Sequence, residues 1–510
     1  MASIIVAVAV LVIAYLFSLR SRHRFPPGPK GLPVLGAAKE HPKTEFWKTY
    51  AEWGRKYGNI GFISFHVLGR RMVVINSAAV AEDLLGKRSL IYSDRPFPPM
   101  AGQLMKREKS MFYISYNERF KTYRKFMHSS FNPNASQLNW PILQKQARIM
   151  VANISKTPQN FVEHLRRNAA ATTMKIAYGY TIDKDRDHFV ALAEEGMRVG
   201  SLAGAPGKWL VDSIPALKYL PDWFPGAGFK RQAKAWSDQL YTQSLEPHDW
   251  VKAQMAAGTA EPSFTSRLLE SRDPHVSEAE HDDLVLWTGG AIYAAGADTT
   301  VSSVKTFYFL MMLHPDVQKR AQAEVDSIVA KEGRLPTIQD RASMPYLDAV
   351  LQEVLRWAPP SPIGIFHCTS ADDEYNGYFI PAKTTVIANI WGMTHDPEQY
   401  PDPFTFNPDR FVKKGENDTT QPDPREVVFG FGRRVCPGQH VGEATMFIQM
   451  ATTLAVFDIS KPVDKDGRII EPEIGFTTAI VSHVKPFQYS IKTRSKEALT
   501  LLMQDLAAEA

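Results

Sequence analysis

The sequence predicts a mainly α-helical chain with small β-sheets, and three patterns predict it. A long apolar stretch from Asp282 to about Leu313 follows Ser277-x-x-Glu280, the spacing of a helix capping box. Helical periodicity recurs from Tyr346 to Trp357 and again after Pro437-Gly438. Strand-like alternation is confined to short runs, the clearest being Gly61-Phe-Ile-Ser-Phe-His-Val67 and Arg71-Met-Val-Val-Ile-Asn76.

Taken in order, Met1 to Leu19 is uncharged and mostly apolar, close to the length that crosses a bilayer. Arg20, Arg22 and Arg24 follow it, and by the positive-inside rule they keep the rest of the chain cytosolic. A cleaved signal peptide would need a basic segment before the apolar run and a small-residue cleavage site after it. The chain therefore divides into a transmembrane anchor (1–19), a basic, proline-rich hinge (20–36) and one globular unit (37–510). Pro26-Pro-Gly-Pro29 stiffens the hinge as a spacer.

Ile60 to Asn76 reads as two strands turned at Leu68-Gly69-Arg70, and Arg95 to Met100 as a proline-rich loop. Most of 117–270 reads as helices broken by Pro and Gly. The long apolar helix ends at His314-Pro315, and a charged helix runs on to about Lys331. The helix from Tyr346 stops at Pro359-Pro360. Short strands are expected around Tyr378, Val386 and Ile390, then a proline-rich meander from Pro397 to Pro424. A last hairpin is expected between Ile474 and Ile491.

Composition narrows the function. The 510 residues are 44% hydrophobic and 22% charged, ordinary for a globular protein. Two cysteines exclude a disulfide framework and fit a reducing compartment. The net charge of +5 comes without a basic run interleaved with aromatics, so nucleic acid is not an expected partner.

One cysteine sits in an unusual setting, Phe429-Gly-Phe-Gly-Arg-Arg-Val-Cys436-Pro-Gly438. Its glycines allow tight turns and close approach to a flat ligand. Arg433 and Arg434 bring positive charge, and Pro437 suits the first position of the helix that follows. A thiol beside cations at a helix N-terminus is favoured as thiolate, the form that binds metal. With no Cys or His partner at zinc spacing, a lone thiolate suits haem iron better than zinc.

Those residues also carry a family resemblance. Phe429, Gly432, Arg434, Cys436 and Gly438 fit the haem-binding loop of the cytochrome P450 family at every fixed position. Ala295-Gly-Ala-Asp-Thr-Thr300, Glu353-x-x-Arg356 and Phe406-Asn-Pro-Asp-Arg410-Phe411 extend the resemblance from the hinge near Pro26 to the strands near Phe476. It implies the cytochrome P450 fold, a triangular helical body with a β-rich lobe near the N-terminus.

The resemblance also implies roles. Cys436 would be the axial ligand of haem b, iron protoporphyrin IX. Arg124, His367 and Arg434 would meet its propionates, with Phe120 standing where the family usually has a tryptophan. The long helix would bulge near Gly296. There Thr299 would sit over the iron and hydrogen-bond dioxygen, while Asp298 relays protons. Glu353, Arg356 and Arg410 would form a structural triad behind the haem. Phe112, Ile292, Ala295, Ile365, Phe366, Phe476 and Thr477 would line the substrate pocket, with methionines 100, 105 and 111 on its loop. Cys368 is read as a bystander. Arg119, Lys121, Arg124, Lys125, Arg425 and Arg433 would form a basic face for an acidic flavoprotein reductase. The aromatic segment Trp209 to Phe224 suits a membrane-interface position over the pocket, and core packing explains it equally well.

The implied activity is that of a microsomal, fungal secondary-metabolism monooxygenase. It would insert one oxygen atom of O2 into an apolar small organic substrate. NADPH would supply electrons through a separate NADPH–cytochrome P450 reductase, with cytochrome b5 as an auxiliary donor. The protein would be single-pass in the endoplasmic reticulum membrane with its catalytic domain in the cytosol. Two rival readings remain: a haem-thiolate isomerase or dehydratase, which would not need the Asp298-Thr299 pair, and a non-enzymatic haem-binding sensor.

Overall fold

Helix α1 (Phe46–Lys56) leads into a tight hairpin, made possible because Leu68 and Gly69 both take positive φ, 49° and 79°. The turn sets strand β1 (Phe62–Val67) against β2 (Arg70–Ile75), with Phe62 opposite Ile75. The computed structural model describes residues 23–32, 35–58, 60–182, 187–205, 207–413, 415 and 419–508. The predicted anchor over 1–19 lies outside the described residues, among which no helix is long and apolar enough to cross a membrane. The described part of the hinge is docked on the sheet and does not hang free as a spacer. Ser64 Oγ donates to Pro26 O (2.7 Å), Ser64 N donates to Pro27 O (2.9 Å), and Arg71 covers the Phe25 ring.

The body is helical, as the periodicity predicts. Its principal elements are α2 (Glu118–Phe131), α3 (Trp140–Lys156), α4 (Phe161–Tyr178), α5 (His188–Ala203), α6 (Gly228–Ala256) and α7 (Glu278–Leu313). They continue as α8 (Pro315–Glu332), α9 (Pro345–Trp357), α10 (Gln439–Val456) and α11 (Lys496–Ala508). Ser277 Oγ accepts the Glu280 amide at 3.3 Å and so caps α7. Helix α7 is the spine, packed on α2, α4, α6 and α10. Its glycines serve close approach. A Cβ at Gly296 would lie 2.4 Å from Thr173 Cγ2 on α4, and one at Gly290 would lie 2.4 Å from Ser244 Oγ on α6. The main core gathers Phe307, Phe309, Leu351, Phe447, Met450 and Leu454 from α7, α9 and α10.

Four further strands complete the N-terminal lobe: β3 (His367–Cys368), β4 (Asp373–Tyr375), β5 (Tyr378–Ile380) and β6 (Thr385–Ala388). The order β1-β2-β6-β3 makes one sheet, and β4-β5 another. Two expectations need correction. Ile390 starts a short helix, Ile390–Thr394, because the Asn389 side chain caps it by accepting the Gly392 amide at 3.1 Å. The expected last hairpin is only an isolated Phe476–Val484 bridge. Ile491 belongs to β8 (Ser490–Thr493), which pairs with β7 (Phe457–Ser460) directly after α10, and there it faces Ile459.

Glu353, Arg356 and Arg410 meet beneath the meander with side chains 0%, 0% and 4% exposed. Arg356 grips Glu353 through Nε (2.6 Å) and Nη2 (2.8 Å), and the Asn407 amide donates to Glu353 Oε1 at 2.7 Å. Arg356 and Arg410 also donate to carbonyls of the meander, including Pro403 (2.8 Å) and Asp402 (2.7 Å), and Arg356 reaches Thr394 O (3.0 Å) just before it. Replacing Glu353 with Gln leaves buried positive charge unpaired, so Glu353→Gln should lose about 3–5 kcal/mol in urea denaturation. A wild-type midpoint would contradict that role.

Lys305, in the last third of α7, is also buried, donating to Val484 O at 2.6 Å. Burial pushes its ammonium down from 10.5 to about 8, with Arg166 adding repulsion. Between about pH 8 and 10 the unfolded chain therefore holds this proton and the folded chain does not. Stability should rise across that window by on the order of 2 kcal/mol, and Lys305→Met should flatten the rise. Denaturation midpoints at stepped pH test it; a fall in stability over the window would contradict it.

Candidate active site

The loop ahead of α10 presents Cys436. Its amide donates to Phe429 O (2.7 Å), and the amides of Arg434 and Val435 close back on Phe431 and Gly432. Gly432 holds φ +53°, and a Cβ there would lie 2.2 Å from Leu85 O, so this glycine lets the loop pack on the Glu82–Lys87 turn. That differs from the expected approach to a flat ligand. Gly438 behaves otherwise: a Cβ on it, or on Gly442 one turn on, would meet no protein atom within 4 Å. Cys436 is half-buried. Burial pushes its thiol up, and the Gly438 amide and the Arg124 charge pull it back toward thiolate.

Basic side chains converge around this loop. Arg124, from α2, donates to Val435 O at 2.7 Å. Arg434 donates through Nε to Ser93 O (2.8 Å) and through Nη2 to Ile114 O (2.6 Å). The Phe120 ring stacks at 3.7 Å on the Arg434 guanidinium. His367 Nδ1 bonds Tyr92 O at 2.8 Å. The sequence reading missed a fourth member, Arg95, whose Nη1 donates to Ile365 O (2.6 Å) and Phe366 O (2.8 Å). Its one sequence-level signal is a cation placed in an apolar, proline-rich loop.

These cations lean on backbone carbonyls, and among the described residues neither Arg95 nor Arg434 has a carboxylate within ion-pair distance. Arg95 Nε and Arg434 Nη1 are buried without a hydrogen-bond partner. Burial pushes Arg434 down to about 10, opposed by Asp94 and reinforced by Arg124. Burial, then repulsion from Arg434, holds Arg95 well below its usual range. Burial, then Arg95, holds His367 neutral, with the Tyr92 carbonyl opposing. Desolvated positive charge of this kind calls for an anion.

On α7 the expected bulge is absent. The helix keeps its α-helical path through Gly296, and the Thr299 hydroxyl donates to Ala295 O at 2.9 Å. Asp298 Oδ1 lies 3.0 Å from His483 Nε2. Thr477 positions that histidine by accepting its amide at 2.9 Å. Ala295 is exposed in the middle of this largely buried helix. Ile365 is 38% exposed, and Phe112 and Ile292 are half-buried. The half-buried Phe366 packs beside Ile363 in the cluster under the first sheet. Phe476 packs against Trp357 with the rings tilted by 57° and their centroids 5.7 Å apart. Cys368 is buried in β3 with its thiol pushed up to about 11 by burial.

The basic face is smaller than expected. Arg119 is tied to Asp283 and Tyr123, Arg124 points inward, and Arg425 is neutralised by Asp423, Asp348 and Glu443. Lys125 and Arg433 stay at the surface, as does Lys121, which pairs with the exposed Glu118 at 2.6 Å. A surface cleft of about 900 Å3, lined by residues such as Trp140, Arg341, Asp348 and Glu443, includes none of the predicted pocket residues.

Residues 26–491 match the family model described as Cytochrome P450. The chain belongs to the cytochrome P450 family. It is 40% identical over 500 residues to cytochrome P450 monooxygenase 208 of Postia placenta, covering 98% of this chain and 96% of that protein. Cytochrome P450 monooxygenase claR of Ampulloclitocybe clavipes is also 40% identical over 500 residues, covering 98% and 92%. Cytochrome P450 monooxygenase COX2 of Coprinopsis cinerea is 37% identical over 500 residues, covering 98% and 94%. The protein is thus a P450 monooxygenase, a haem-containing oxidoreductase of a type found in fungi.

The residues present fit that cofactor. A P450 haem is flat and doubly anionic; here a thiol, an open first helical turn at Gly438 and Gly442, and two guanidinium groups, Arg434 buried and Arg95 half-buried, each with a buried spare N–H donor, lie around one loop. Arg95 should therefore hold a propionate. In Arg95→Gln, transfer of haem to a scavenger apoprotein should speed up roughly ten- to a hundredfold. An unchanged transfer rate would contradict it.

Proposed function

We propose that this P450 inserts one oxygen atom of dioxygen into a small, largely apolar organic substrate of fungal secondary metabolism, fed with NADPH electrons by a separate reductase. When bound, haem supplies dioxygen activation and stores the delivered electrons. Cys436 would be its axial ligand, and Arg95, Arg124, Arg434 and His367 its propionate partners. The observation that carries the reading is Asp298-Thr299 on α7. It places an alcohol and a carboxylate side by side where Ala295 is exposed within an otherwise packed helix.

What these two residues do follows from their partners. The Thr299 hydroxyl now donates within its helix, and one χ1 rotation frees it to donate into the site. Asp298 and His483 have side chains 31% and 18% exposed, so the pair touches both solvent and α7. A proton taken up there has one carboxylate to cross before reaching Thr299. The rival isomerase reading would leave this arrangement without use.

The aromatic segment divides between the two readings given to it. Trp209 packs on Trp236 in the core, whereas Leu210, Tyr219 and Trp223 are 71%, 77% and 80% exposed. An exposed apolar edge of this kind supports a membrane-facing entrance. Together with the anchor that the sequence predicts over 1–19, it supports residence on the endoplasmic reticulum membrane with the catalytic domain in the cytosol. Lys121, Lys125 and Arg433 would receive the acidic reductase, with cytochrome b5 as an auxiliary donor.

The test is reconstitution with NADPH–cytochrome P450 reductase under isotope-labelled dioxygen. Product should carry one labelled oxygen atom per turnover, and Thr299→Ala should divert most electrons to hydrogen peroxide, roughly a ten- to hundredfold loss of coupled product. Label-free product would overturn the reading, and unchanged coupling in Thr299→Ala would leave Thr299 a structural residue.

A further inference from the structure

A second guanidinium, half-buried and with an enclosed, unpartnered Nε, lies away from the haem loop. Arg107 is fixed by its backbone, its amide donating to Gly102 O (2.9 Å) and its carbonyl accepting the Ser110 amide (2.9 Å). The surrounding loop is itself pinned, since the Met100 amide donates to Asp212 Oδ1 (2.8 Å) and Ser237 Oγ donates to Met105 O (2.9 Å). The Arg107 side chain enters a cavity of about 20 Å3 shared with Ser110, Gln243, Ser244, Trp287 and Ala294. That is room for about one water or the tip of a ligand.

Its donors are mostly unspent. Nη2 makes one long bond to Ser110 Oγ (3.3 Å), and Nε is buried with no partner. The Trp287 ring lies 5.7 Å from the guanidinium carbon. Among the described residues no carboxylate lies within ion-pair distance. The acid on the adjoining turn of α7, Asp283, is already held by Lys109 and Arg119. Burial pushes Arg107 down from its usual range, with Tyr113 opposing. A charge desolvated in this way is costly unless something anionic shares the site.

We infer that Arg107 binds a carboxylate, or an equivalent anionic oxygen group, on the substrate, so that the substrate is an apolar body with one acidic end. This rests on the monooxygenase reading above and deepens it. Arginine's planar fork suits two-point capture of a carboxylate, and Ser110, Gln243 and Ser244 add polar groups beside it. Gly290 of the same cavity and Thr299 stand nine residues apart on α7, roughly 14 Å along the helix. Oxidation would therefore fall on a carbon remote from the acidic end.

The experiment uses the full, haem-loaded chain with two probes, dodecanoate and its neutral methyl ester, each titrated by the haem spin-state shift. Wild type should bind the acid at least about tenfold more tightly than the ester. Arg107→Gln should erase that preference while leaving ester affinity and the red-shifted carbon-monoxide spectrum unchanged. Arg107→Lys should keep part of the preference. Equal binding of acid and ester by wild type, no binding of the acid, or a preference that survives in Arg107→Gln would each overturn the proposal. Because the wild-type comparison needs no variant, a poorly folding mutant does not decide the matter. Loss of the red-shifted spectrum in wild type would instead withdraw the haem-site reading beneath it.

Discussion

A thiol held among guanidinium groups that are buried or half-buried is the constraint on which the rest of this molecule depends. Burial alone would keep Cys436 protonated, and the Gly438 amide and Arg124 work against that. The cost does not stop at the sulfur. Arg434, and the Nε of half-buried Arg95, are also taken out of water, and both side chains bond only carbonyls. Three elements far apart in sequence must arrive together for this to be tolerable: the loop at 93–95, the start of α2 and the approach to α10. The Glu353–Arg356–Arg410 lock below the meander, and the packing of Gly432 on Leu85, hold that meeting in place.

The distal side is organised by a different economy. Glycines in α7 let α4 and α6 come close, so the helix forms a continuous wall where the resemblance implies a bulge. On that wall the reactive-looking groups are held in check. Thr299 bonds its own helix, and Asp298 bonds a histidine from the C-terminal lobe. Both can be released by side-chain rotation alone, which suits groups needed for only part of a cycle.

Legibility followed the range of the interaction. Helices α7 and α9 and the β1–β2 hairpin were readable because periodicity, caps and turn residues are local. The cysteine loop was readable because its residues sit within ten positions. Arg95 was not: its meaning comes from carbonyls at 365 and 366, which no local pattern brings beside it. Nor was His483, the partner of Asp298, which comes from a distant segment of the chain. Strand β8 was misassigned because pairing with β7 depends on where α10 ends, and Ile491 alternates equally well in either register. The basic face shrank because charge counts along a helix do not reveal which side chains find acids elsewhere, as Arg119 and Arg425 do.

The most direct measurement is iron K-edge X-ray absorption on the haem-loaded full chain, alongside Cys436→Ser. The account predicts one sulfur in the iron's first shell in the wild type and none in the variant. A shell of nitrogen and oxygen only in the wild type, or a sulfur that persists without Cys436, would contradict it.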